Sequence, residues 1–222
     1  ASEIQKRNLL KTGDEFPYGQ LAESEANECW NTATEMYEVH KLQNDVESFN
    51  KSNKLFKKGI ASMPVCFGIS FTKTMMNQAR ALVHVYTDGS IGISTGAVEM
   101  GQGVNTKMLQ VAAKICSVDP SRIKIHSTNT FRISNTSPSA ASATADLNCK
   151  AVGMACNAIV GRIKEVAEES VAVKVSDIEL RNEMIWAEQQ QTELSWNDVV
   201  LMAYIKRTSL SEHAHYTPPG IH

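Results

Sequence analysis

The 222-residue chain has no apolar run near the roughly 20 residues that a membrane-crossing helix needs. Its start, "ASEIQKRNLL", carries two basic residues and no apolar stretch, so it does not read as a secretory signal. These absences predict a soluble, cytoplasmic protein. Positive charge is not in excess: the net charge is -2, acids and bases are interspersed, and no basic stripe with interleaved aromatics occurs, which argues against nucleic acid as a partner. Cysteine is scarce and scattered, at positions 29, 66, 116, 149 and 156. There is no C-x-x-C and no Cys/His spacing that suits zinc or an iron–sulfur cluster. An odd, scattered set reads as free thiols in a reducing compartment. Cys149 and Cys156, seven apart on one helix face, read as small packed hydrophobes. A phosphate-binding P-loop is missing too, as is a G-x-G-x-x-G, because Thr106 stands where the third glycine would be.

What is present suits one large folded domain or two small ones: a 42% hydrophobic share in a chain long enough to bury a core. Residues 1–11 read as helix, and Gly13, Pro17 and Gly19 break it. Ala26, Cys29, Trp30, Ala33, Met36, Tyr37 and His40 recur at helical spacing over 22–40. A short helix is predicted at 44–51, capped by Asn44, and "NKSNKLFKKG" reads as a solvated connection. Residues 1–56 thus form a helical N-terminal segment, and 57–222 an α/β domain.

The second part is richer in strand signals. "IASMPVCFGISFT" (60–72) has β-branched and aromatic residues in partial alternation. "ALVHVYTDGSIGIST" (81–95) puts two strand-like runs around Asp88-Gly89, a pair that suits a type I′ hairpin, with His84 as a structural strand residue. Val104, Met108, Val111, Ala112 and Ile115 mark a helix face, and residues 122–128 read as a strand. A long helix is predicted from Pro138, with Ser137 as its N-cap, to about residue 168. A strand pair at 178–181 and 184–187 and a helix at 195–206, capped by Ser195, complete the pattern. The expected fold is a layered α/β (α+β) domain with a mixed sheet and packed helices.

Two stretches invite a ligand. "GAVEMGQGVNTK" (96–107) joins a strand to a helix. Its glycines let a ligand approach the backbone, the helix start offers N–H groups to an anion, and Gln102 can donate and accept. A plain tight turn would use the same residues. "NTSPSAASATAD" (135–146) is also a loop entering a helix, with small side chains that expose amides and add hydroxyls. Close helix packing would explain that equally. Two such helix starts in one domain favour a shared ligand.

Taken together, "HVYTDGSI…GAVEMGQGVNTKMLQVAAKI" and "TNT…NTSPSAASATADLN…AV…AC" resemble the molybdenum-binding subunit of xanthine dehydrogenases, in the molybdenum hydroxylase family. "FGISFT", "KRNLLKTGDEFPYGQ" and "MAYIKRTSL" match in order and spacing, so the resemblance covers nearly the whole chain. The "NTSPSAAS" stretch is nearer to xanthine dehydrogenase than to aldehyde oxidase, whose variant is glycine-rich.

The resemblance implies hydroxylation of a purine (xanthine or hypoxanthine) or related heterocycle with oxygen from water, at molybdenum held by molybdopterin. In the full enzyme electrons leave through two [2Fe-2S] clusters to FAD and NAD. Gly101, Gln102 and Gly103 would bind the pterin. Ala140, Ala141, Ser142 and Thr144 would line the cofactor and its phosphate, with the backbone of Ala141 nearest molybdenum; Thr144 stands where many relatives have serine. Phe71 and Thr72 would hold the flat substrate. The family's general-base glutamate, in a Gly-Glu-Pro-Pro-like stretch, has no counterpart in this chain, and neither do its other substrate glutamate and arginine, its earlier Gly-Gln-Gly loop, its cluster cysteines or its flavin domain. The chain is therefore expected to be a central fragment of a longer molybdenum subunit, inactive alone, working with iron–sulfur and FAD domains in a homodimeric enzyme. The alternatives are a nucleotide- or phosphate-binding module without redox chemistry, and a structural or interaction domain.

Overall fold

A computed structural model describes residues 2–133 and 136–219. The chain divides into two compact units, one reaching to Gly68 and the other starting at Ile69.

The first unit is helical. α1 spans Ser2–Arg7, α2 Ala26–Met36 and α3 Val39–Ser52. Between α1 and α2 the chain makes a small hairpin, in which Phe16 N donates to Gln20 O and Ala22 N to Asp14 O, with the rings of Phe16 and Tyr18 stacked at 5.3 Å. α2 passes into α3 through Tyr37 and Glu38, the latter with a left-handed φ of 47°. α3 therefore starts at Val39, and Asn44, expected as a cap, lies inside it. The apolar stripe of α2 is present, yet no residue of α2 or α3 is buried; Met36 is 69% exposed. The strand expected at 60–72 does not form. Its composition favours extended backbone, but no neighbouring strand edge pairs with it, and Met63, Val65 and Phe67 stay exposed.

The second unit is built on a four-stranded sheet that is mixed, as the sequence predicts, with strands in the order 123–125, 91–95, 79–85 and 211–216. β1 (Ala79–Val85) and β2 (Ile91–Thr95) form the hairpin read from the sequence, with Val83 opposite Ile93. Its turn is not type I′. Gly89 N donates to Tyr86 O, Tyr86 N to Ser90 O, and only Gly89 has positive φ, so the loop has three residues with the glycine as its bulge. From β2 the chain passes through α4 (Val104–Cys116) into β3 (Ile123–Ile125), which runs parallel to β2. Parallel strands require such a crossover. β7 (Ser211–Tyr216), not predicted, closes the other side of β1.

Ala79, Ala81, Val83, Val85, Ile91 and Ile93 share the sheet face that meets the helices. Against it packs α5 (Thr144–Val171), whose Leu147, Ala151, Ala155, Ile159, Ile163 and Val166 are buried at the predicted spacing. α4 lies beside α5 with Val104, Met108 and Ala112 inward. A second sheet, β4 (Ile178–Arg181), β5 (Met184–Ala187) and the unpredicted β6 (Gln190–Ser195), is antiparallel throughout. α6 (Trp196–Ile205) follows, and Ser195 caps it in a full capping box with Asp198. The buried Trp196 donates its indole N–H to Gly89 O at 2.8 Å, and Arg122 makes a two-pronged ion pair with Glu183 (2.8 and 2.9 Å). These contacts fasten the small sheet to the hairpin and the β3 end of the main sheet.

Candidate cofactor site

The site lies where β2 leaves the sheet. Gly96 is buried, and a Cβ on it would stand 2.1 Å from the Thr136 methyl. The Thr128 hydroxyl lies 3.1 Å from Thr95 O and 2.5 Å from Ala97 O, which fixes the exit path. Val98 N then donates to Ser139 Oγ at 2.8 Å. This bond joins the two stretches singled out in the sequence.

Gly101 and Gly103 have φ of +102° and +76°, and nothing lies within 4 Å of where their side chains would be. Their backbone is thus open to a large ligand. Between them Gln102 is folded onto its own loop: Oε1 accepts from Met100 N at 2.6 Å and Nε2 donates to Val98 O at 2.7 Å. Amides leading into α4 and the Asn105 N–H in its first turn are taken as well. Glu99 Oε1 accepts from Gly101 N and Gly103 N at 2.9 Å each, and Oε2 from Asn105 N at 3.0 Å. These amides, Asn105 first, hold the Glu99 carboxyl below its usual range. The open anion site expected at the start of α4 is thereby corrected: a carboxylate of the chain itself fills it.

The start of α5 differs. The helix begins at Thr144, six residues after Pro138, because Ala141 and Ser142 both have φ of 53° and cannot be helical. Ser137, expected as the cap, instead donates its hydroxyl to Met76 O. The N-cap is Ala143, which has no side chain to satisfy the first amides, and the acidic residue of the first turn is Asp146. Ala140, Ala141, Ser142 and Thr144 line this turn. One turn into the helix, Asn148 is 5% exposed; its Nδ2 donates to Thr144 O at 2.9 Å and its Oδ1 has no partner. Asn135 lies outside the described residues.

Phe71 and Thr72 sit on a third loop. Asn77, 2% exposed, clamps it, with Oδ1 accepting from Phe71 N and Nδ2 donating to Phe71 O, both at 2.8 Å. Ser70 N donates to Ala141 O at 2.9 Å, and Ser70 also has positive φ (86°). The structure therefore brings all three predicted groups into one hydrogen-bonded surface. Strained non-glycine residues cluster at the junction, as is common at ligand sites. The sequence reading missed Glu99, Asn77 and Asn148, and saw Ser139 only as one of the small hydroxyl residues of its stretch. An acidic residue just before a helix start was the available signal for Glu99; the others act through contacts that only the fold creates.

The surface offers backbone amides, small side chains and hydroxyls, a donor set for a large ligand rich in oxygen and nitrogen. The one carboxylate of its glycine loop is committed to three amides, which leaves that loop without a free general base. Among the described residues no three His, Cys, Asp or Glu side chains are grouped to hold a metal ion, and no helix is long and apolar enough to cross a membrane.

Residues 32–222 match the molybdopterin cofactor-binding domain family. The chain belongs to that family. It is 36% identical over 222 residues to the xanthine dehydrogenase/oxidase of Felis catus, covering 100% of this chain and 15% of that protein. It is 41% identical over 167 residues to aldehyde oxidase 2 of Macaca fascicularis, covering 75% of this chain and 12% of that one. The chain thus spans about 15% of the length of the xanthine dehydrogenases it matches. In fold it is similar to quinoline 2-oxidoreductase from Pseudomonas putida 86, with a TM-score of 0.79 over 98% of this chain and 30% of that chain, at 18% identity. The molybdopterin-binding domain is xanthine dehydrogenase-like, and the mixed sheet with packed helices is the architecture of this family.

The residues present fit that cofactor. The glycine backbone is open for a flat pterin, and the start of α5 has no capping side chain and carries the hydroxyls of Ser142 and Thr144 beside its amides.

Proposed function

We propose that this domain supplies part of the molybdopterin cradle of a xanthine dehydrogenase-type hydroxylase that oxidises purines. The observation that carries the reading is the hydrogen-bonded union of the three loops through Ser139–Val98 and Ser70–Ala141. In it, Gly101, Gln102 and Gly103 hold the pterin, and Ala140, Ser142 and Thr144 receive the phosphate at the start of α5. The backbone of Ala141 would lie nearest the molybdenum that the bound cofactor would bring. Phe71 offers an aromatic face to a planar heterocycle and Thr72 a hydroxyl to its edge.

When bound, molybdenum–molybdopterin supplies a redox metal centre able to transfer water-derived oxygen to a carbon of the ring. The protein's share in this region is to bind, orient and screen from water. The base comes from a glutamate elsewhere in a longer chain, and general-base help of that kind is worth ~10²–10⁴-fold. Two [2Fe-2S] clusters, FAD and NAD complete the electron path in other domains of a cytoplasmic homodimer.

The test is to express the full-length gene product containing this domain, determine its molybdopterin and metal content, and assay xanthine, hypoxanthine and an aromatic aldehyde in parallel. Purine turnover by the full protein, and none by residues 1–222 alone, is the expected result. A full-length protein that binds nucleotide but no molybdopterin would overturn it.

A further inference from the structure

Glu99 is the only residue of the glycine loop whose side chain reaches three separate backbone amides. Its two oxygens bind Gly101 N, Gly103 N and Asn105 N at 2.9–3.0 Å. Gly101 and Gly103 are both in positive-φ conformations that a free glycine loop would leave readily, because glycine has the most backbone freedom to regain. Only Gly103 has a backbone bond that continues into the helix, from Lys107 N to its carbonyl at 3.1 Å. Gln102, between the glycines, holds just Met100 N and Val98 O, both on the near side of the loop. The far side, where the loop enters α4, is held by Glu99.

The same carboxylate also occupies the amides that an anion at the glycine loop would need. α4 and α5 are the two helices that open next to the site. At α4 a carboxylate accepts directly from the loop and first-turn amides, whereas Ala143 offers α5 no capping side chain and its first-turn acid is Asp146. A phosphate placed at α4 would have to displace a charge already held by three N–H groups.

We propose that Glu99 is a positioning residue for the cofactor: an internal anion that sets the Gly101-Gln102-Gly103 backbone and keeps a phosphate off the amides of that loop. The inference rests on the cofactor reading above. It differs from a capping role in that loss of Glu99 reduces cofactor retention more than loss of stability alone would.

The experiment uses the full-length protein with three variants, Glu99→Ala, Glu99→Gln and, as comparator, Ser195→Ala, which removes a cap at α6 away from the site. Molybdopterin content per folded protomer, melting temperature, and hydrogen–deuterium exchange of the 99–105 peptide are measured for each. E99A is expected to retain roughly tenfold less cofactor, in the range seen when residues that orient ligating groups are removed. It should also exchange faster at 99–105, whereas S195A keeps the parent's cofactor content at a similar melting temperature. E99Q keeps one acceptor oxygen but turns an NH₂ toward Asn105 N–H, and falls between E99A and the parent. If E99A fails to fold, E99Q decides, and parity with the parent overturns the assignment. Equal cofactor loss in E99A and S195A would reduce Glu99 to a stabilising cap and also overturn it. A parent protein without molybdopterin overturns the cofactor reading and this inference with it; a loaded parent with an equally loaded E99A overturns the Glu99 assignment alone.

Discussion

The backbone N–H of Val98 donates to the hydroxyl of Ser139 at 2.8 Å, a bond between residues 41 positions apart that ties the exit of β2 to the loop before α5. The glycine loop and the small-residue loop are separate in sequence and continuous in space because of it. Replacing Ser139 with Ala should cost about 1 kcal/mol, the usual net value of one hydrogen bond. The larger effect should be on cofactor retention, read as released pterin per protomer, since the two halves of the cradle would then move independently.

Gly96 admits no side chain. Thr136 fills the space where a Cβ would be, with its methyl 2.1 Å away, and the β2 exit on the other side is fixed by Thr128. Gly96→Ala should therefore destabilise the second unit by about 1–3 kcal/mol, as overpacking does. Pairing it with Thr136→Ser removes the methyl but leaves the hydroxyl oxygen and Cβ at 2.6 and 2.7 Å, so only part of the loss should return, whereas Thr136→Gly clears all three atoms and should recover more. Thermal melts of the single and double variants check this.

Asn77 holds Phe71 by both its N–H and its C=O. Asn77→Ala leaves both groups without their partner and should cost about 1–3 kcal/mol. Asn77→Asp keeps the acceptor and loses the donor, so it should fall between. If Phe71 faces the heterocycle, KM for purine should rise in both variants ahead of any fall in kcat.

The Arg122–Glu183 pair makes stability depend on pH. The Arg122 guanidinium holds the Glu183 carboxyl below its ordinary value. A carboxyl with a lowered folded value stabilises the fold above its unfolded pKa and loses that contribution as pH falls through the folded one. Glu183→Gln should thus cost most at neutral pH, about 1 kcal/mol because both side chains keep over a quarter of their surface in solvent (27% and 29%), and little in strong acid. Denaturant titrations at several pH values should show a flatter acid limb in the variant.

How much of this was legible in the sequence depended on distance along the chain. The β1–β2 hairpin was readable because alternation and Asp88-Gly89 lie within fifteen residues, though whether the loop held two or three residues was decided by the sheet. The α5 stripe was readable because Leu147 to Val166 keeps one period. The start of α5 was not, since Ala141 and Ser142 are held left-handed by a bond from Ser70, far away in sequence. β7 was missed for a related reason: "SEHAHY" shows little apolar alternation, and it becomes a strand only by pairing along β1. Residues 60–68 are the converse, strand-like in composition and unpaired in the fold. At the site, Gly101 and Gly103 stood out because positive φ is a local demand, while Glu99, Asn77 and Ser139 gained meaning from contacts that composition does not encode.

The placement of β7 has a consequence for the chain's synthesis. Arg80 and His215 face each other across β1 and β7 although they are 135 positions apart. β1 leaves the ribosome long before its outer neighbour exists, and at ~5–20 residues per second the interval is on the order of ten seconds. For that time a nascent sheet with Ala79, Ala81 and Val83 at its rim has an unpaired edge. The four-stranded sheet is completed only when the last of its strands emerges, which makes that edge a natural point of attention for chaperones acting during translation.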